Sequence, residues 1–236
     1  MSETTSNSKP KEEYDPNVRT TFRGMIHLAA FITTSLSAIV FLVIMKYTES
    51  FNGYVMLYFL VQIMQFGLSA LYHTYQGDGR VKHFFRKLDH LAIFFLICGT
   101  QTAVVKMLPK RDESISSDSF LKMTWGLAVL GSVKLFLIGE LDVHNIFDLV
   151  VYCGQGLSIL LFRRIFLNFY STDLAILVSG GVFYITGAVV YGAESPNPYP
   201  RVFGFHEIFH VCTLLGNACF GLSIWKAYFT RIISKV

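Results

Sequence analysis

The sequence predicts an all-α membrane protein, a seven-transmembrane-helix bundle with its N-terminus in the cytoplasm. Three observations carry that prediction. Of the 236 residues, 53% are hydrophobic and 15% charged, and the mean hydropathy of +0.47 is well above that of a soluble globular domain. The apolar residues gather into runs close to the roughly 20 residues that cross a bilayer as helix. Within each run apolarity is continuous, without the period-2 alternation of membrane strands.

Taken in order, residues 1–20 are polar, contain Pro10 and Pro16 and show no apolar period, so they read as a disordered tail. The first apolar run is too long and lies too far in for a secretory signal peptide. Spans follow at about 24–45, 54–75, 88–108, 120–138, 145–163, 173–192 and 204–227, forming one domain over 21–230 that ends in a short basic tail, 231–236. The connections hold the breakers: Asn52-Gly53, Gly77-Asp78-Gly79, Pro109 through Ser119, and Ser195-Pro196-Asn197-Pro198-Tyr199-Pro200. Glycines inside the spans, among them Gly131, Gly154, Gly156, Gly180 and Gly187, are expected to let helices approach closely.

A net charge of +4 and a pI near 8.8 do not indicate nucleic acid here. The basic residues stand in short clusters between apolar runs and read as juxtamembrane anchors. They divide equally between the two sides of a seven-span bundle, so the flanks of the first span decide orientation. Lys9, Lys11, Arg19 and Arg23 precede it and Lys46 follows it, which puts the N-terminus in the cytoplasm. The plasma membrane is the expected location. Cys98, Cys153, Cys212 and Cys219 all lie in apolar runs and form no Cys-x-x-Cys pair. They read as small core residues, not as disulfides or thiolate ligands.

An odd number of spans places all of the histidines on the side that holds the N-terminus: His27, His73, His83, His90, His144, His206 and His210. Intramembrane ionisable groups at one level point to one site. His206 and His210 stand four apart and share a helix face, a metal-ligand spacing. Ser69 and His73 do the same near the end of the second span. Asp89 opens the third, where a carboxylate suits the helix dipole, and a short hairpin from Gly77 to Arg86 returns it beside His73. Three imidazoles, a carboxylate and a hydroxyl then meet at one depth. Three nitrogen ligands with a fourth position open is the pattern of a catalytic zinc, which Asp89 would face through a water and Ser69 would support. His90 points about 100° away from Asp89 on a helix, His83 is expected in solvent, and His27 and His144 at the interface.

These residues resemble the haemolysin III family, related to the progestin and adipoQ receptors. The resemblance lies in Ser69-x-x-x-His73, in Leu88-Asp89-His90-x-x-Ile93 with Gly99-Thr100, and in Arg201-Val202-Phe203-Gly204-Phe205-His206-Glu207-Ile208-Phe209-His210, and extends over about residues 20–228. Across the wider superfamily, which includes alkaline ceramidases, it implies zinc on His73, His206 and His210, a water-mediated role for Asp89 and a supporting role for Ser69. The first span, Phe22-Arg23-Gly24-Met25-Ile26-His27, departs from the acidic residue and Asn that many relatives carry before its histidine.

Three classes of function follow. The first is a zinc hydrolase cutting an amide or ester bond of a membrane lipid, with Asp89 accepting the proton. The second is a non-catalytic membrane protein, either a receptor with structural zinc or the pore-forming cytolysin that the family name implies, although no span carries a polar stripe from face to face. The third is an intramembrane metalloprotease, because His206-Glu207-x-x-His210 matches the zincin motif with Glu207 as its base. That reading needs Glu207 and dispenses with His73.

Overall fold

A computed structural model describes residues 22–108, 116–137, 146–199 and 201–234. The polar tail at 1–20 and His144 lie outside the described residues. All regular structure in the described residues is helical. Among the described residues, six helices are long and apolar enough to cross a membrane: α1 (Arg23–Tyr47), α2 (Gly53–Thr74), α3 (Gly79–Met107), α4 (Asp118–Leu137), α7 (Ser171–Gly192) and α8 (Phe205–Ile233). Between α4 and α7 lie a shorter apolar helix, α5 (Ile146–Leu157), and a short helix, α6 (Arg163–Leu167).

Side-chain caps set two of the starts. The Asn52 side chain accepts from the Tyr54 and Val55 amides at 3.0 and 3.2 Å, which opens α2 where the sequence places it. Asp78 does the same for the Arg80 and Val81 amides, at 2.8 and 3.3 Å, and so α3 begins at Gly79 instead of near residue 88. The expected basic hairpin is largely the first turns of this helix. Asp89 consequently lies more than two turns inside α3, beyond the reach of the dipole argument that placed it at a helix N-terminus.

The fifth expected span is not one continuous helix. After Leu157 the chain tightens into a 3₁₀ turn, Ser158–Leu161, and restarts at Arg163. Gly154 and Gly156 lower the helix propensity just before the break. The freed backbone groups find partners, as a membrane interior requires. The Gln101 amide donates to the carbonyls of Gln155 and Gly156 at 3.1 and 3.0 Å, and Ser158 Oγ donates to the Gln155 carbonyl at 2.6 Å. The Gln155 side chain reaches the carbonyls of Phe94 in α3 and Thr124 in α4. Length and apolarity are those of a span, but they carry no sign that Gln101 on α3 pairs the carbonyls freed at the break.

The middle of the fold is α3, the most buried of the six long helices, with α2 along one side and α4 along another. Gly99 of α3 lets α2 come close: a Cβ there would sit 2.5 Å from Val61 Cγ1. On the far side α7 lies against α8, crossing closely at Gly180 and Gly216. A core of Phe41, Tyr58, Phe59, Met107, Phe120 and Ile224 fills the end of the bundle away from the histidines. Cys98, Cys153, Cys212 and Cys219 form no disulfide.

Candidate metal centre

His73 stands in the last turn of α2, and His206 and His210 occupy successive turns at the start of α8. Each offers a ring nitrogen, and the three nitrogens lie within 4.8 Å of one another. The rings are steeply inclined to each other, at 85° for His73 and His206, 59° for His73 and His210, and 76° for His206 and His210. In-plane lone pairs of inclined rings can converge on a point, the requirement for holding one ion. Three nitrogens on a tetrahedral zinc are about 3.4 Å apart, so small side-chain rotations would close the set. The donor chemistry fits a zinc-like cation: three imidazoles, one of them with a buried Nδ1 lacking a hydrogen-bond partner (His210), beside a carboxylate.

The start of α8 is fixed by Glu207. One of its carboxylate oxygens accepts from the Gly204 amide at 2.7 Å and the other from Arg23 Nε in α1 at 2.9 Å. A Cβ at Gly204 would meet Asn197 Oδ1 at 2.6 Å and displace it; that same oxygen accepts from the Phe205 amide.

Asp89 faces this group from α3. Its Oδ2 is 3.9 Å from His73 Nε2, its Oδ1 accepts from Gln65 Nε2 at 2.9 Å, and the Ser69 side chain is within hydrogen-bonding reach of the same carboxylate. Gln65, Ser69 and His73 are spaced four apart and form one stripe of α2. The four-residue spacing that links Ser69 to His73 extends one turn back to Gln65, a residue not among the expected site residues.

His27 was read as interfacial and is instead buried, at 3% exposure. Its ring stacks on His210 with centroids 3.8 Å apart and planes at 14°, and packs against Phe66. His83 is exposed, and His90 lines the neighbouring cavity without joining the cluster. The cavity has a volume of about 910 Å³, with His73, His206, His210 and Asp89 in its polar part and Leu177, Val178 and Phe220 among its apolar walls. Phe220 lies ten residues beyond His210 on α8, about 15 Å away by helical rise.

These features define a multi-pass α-helical membrane protein with a cluster of three histidines that could hold a metal ion. A sequence model of the family described as Haemolysin-III related matches residues 17–221, and the chain belongs to the haemolysin III family. It is 26% identical over 171 residues to Hemolysin-3 of Bacillus cereus, a match covering 72% of this chain and 70% of that protein. It is also 26% identical over 192 residues to the Hemolysin-3 homolog of Bacillus subtilis strain 168, covering 79% and 84%.

Proposed function

We propose that the protein is a zinc-dependent hydrolase that cuts an amide or ester bond of a membrane lipid. One observation carries this reading: three mutually inclined imidazoles and a carboxylate stand at the head of a long, largely apolar cavity. His73, His206 and His210 would hold the zinc, which supplies Lewis acidity for hydrolysis when bound. Asp89, 3.9 Å from His73, is the general base that takes the proton from the attacking water. Gln65 and Ser69 support its carboxylate. The apolar walls receive the acyl chain and exclude water from the reaction.

In the bilayer we place α5 and the 3₁₀ turn after it as the seventh crossing, and the N-terminus in the cytoplasm at the plasma membrane. The 15 or so residues of that element are short for a bilayer, and Arg163 and Arg164 would anchor its end at the headgroups. The names of the two Bacillus relatives, Hemolysin-3 and Hemolysin-3 homolog, favour a second reading, lysis of membranes. The metalloprotease reading fares poorly beside the hydrolase, because Glu207 spends both carboxylate oxygens on Arg23 and Gly204.

The test is purified protein assayed for bound zinc and for release of fatty acid from lipid amides and esters. The hydrolase reading expects one zinc per chain and fatty-acid release that His210→Ala abolishes. Zinc without turnover would favour a receptor, and lysis of liposomes by metal-free protein would favour the cytolysin.

A further inference from the structure

His27 has no role in that scheme, yet its surroundings call for one. It is 3% exposed, it lines the cavity beside His210, and neither of its ring nitrogens has a hydrogen-bond partner. An imidazole carries at least one N–H in either protonation state. A donor left unmet inside a membrane protein costs free energy that a polar ligand would recover.

The stacking geometry decides between two uses of that ring. His210 would hold an ion through an in-plane lone pair of its ring. The His27 ring lies parallel to that plane, 14° off it, with centroids 3.8 Å apart. Its own nitrogens, which bond in plane, therefore aim past such an ion. His27 would thus stand beside such an ion without sharing it, and Phe66 packs against its ring at 5.3 Å between centroids. Of the charged groups that line the cavity, Arg23 pairs with Glu207 and Asp89 accepts from Gln65. A carbonyl oxygen, which accepts without donating, suits the ring N–H of His27.

We propose that His27 is a ligand-binding residue whose ring N–H donates a hydrogen bond to the carbonyl oxygen of the lipid amide or ester seated in the cavity. This rests on the lipid reading above. It deepens that reading by naming the group on α1 that recognises the bond to be cut and holds it next to the three histidines.

The experiment measures binding of radiolabelled octadecanamide and octadecane to the purified full chain by scintillation proximity, with and without chelator. His27→Phe keeps an aromatic ring for the stack and removes the donor. It is expected to weaken octadecanamide about tenfold, the worth of one well-placed hydrogen bond. Octadecane binding, bound zinc and melting temperature are expected to stay unchanged, and His27→Asn should restore part of the amide affinity. The proposal is overturned if wild-type protein shows no preference for the amide over the alkane. It is equally overturned if His27→Phe leaves that preference intact, weakens both ligands alike, or strips the zinc. Wild-type protein without zinc would defeat the hydrolase reading alone, since the amide preference of metal-free protein still reports on His27.

Discussion

Arg23 Nε lies 2.9 Å from Glu207 Oε1, an ion pair that fastens the first turn of α1 to the first turn of α8. The Glu207 side chain has no exposure, and its other oxygen holds the Gly204 amide. Its position is that of a brace for the helix that carries His206 and His210.

Removing one partner of a buried pair leaves an uncompensated charge, at a cost of about 3–5 kcal/mol. Glu207→Ala is therefore expected to melt many degrees below wild type and to bind zinc weakly. Glu207→Gln also removes the charge that Arg23 pairs with and should melt below wild type, but it keeps an acceptor for the Gly204 amide and should retain zinc and most lipid turnover. Thermal melting, zinc content and fatty-acid release measured together check this. Turnover abolished in a Glu207→Gln protein that is fully folded and zinc-loaded would restore Glu207 as a general base.

The second prediction concerns the support of Asp89. Gln65 donates to its Oδ1 at 2.9 Å, and partners of this kind typically matter by 10–100-fold in activity. Gln65→Leu is expected to lower kcat within that range with zinc content unchanged, whereas Asp89→Asn should lose 10²–10⁴-fold. Should Gln65→Leu match wild type, the Asp89 carboxylate is held by other groups.

Much of this arrangement could be read from the sequence, because spacing on a helix fixes which residues share a face. The pairs Ser69 with His73 and His206 with His210 follow from a separation of four. Apolar length gave all six long helices. Other features depend on partners remote in sequence. Whether a histidine near the end of α1 faces headgroups or packs on His210 is decided by how α1 lies against α8, and nothing in Arg23 through His27 encodes that. Glu207 matched a protease motif because a motif records spacing and residue type; the arginine that engages it lies 184 residues away. The break after Leu157 was hidden for the same reason, since Gln101 satisfies it from another helix.

The cavity makes a prediction about chain length. Gly181 of α7 lines it, and a Cβ there would meet nothing within 4 Å. Gly181→Phe should therefore fold and bind zinc normally while filling part of the apolar channel. Hydrolysis of long-chain lipids is expected to fall at least tenfold relative to short-chain ones, measured as kcat/KM over a series of acyl lengths. An unchanged chain-length profile would place the acyl chain elsewhere.

The broken fifth element gives the last prediction. Gln101 is nearly buried and sends its amide to two carbonyls at the end of α5, at 3.1 and 3.0 Å, while its oxygen accepts from Thr124 in α4. One side chain thus ties α3, α4 and α5 together where the helical ladder stops. Gln101→Leu keeps the approximate volume and removes every one of these bonds, and each buried group left bare costs about 1–3 kcal/mol. The cost is expected to fall locally: faster amide hydrogen exchange from about residue 155 to 161, a lower melting temperature, and zinc retained at the distant histidines. Gln101→Glu tests the donor separately, since it keeps an acceptor for Thr124 but offers nothing to the carbonyls unless protonated. If exchange around Ser158 in Gln101→Leu is no faster than in wild type, the 3₁₀ turn is held by the Ser158 and Gln155 side chains alone.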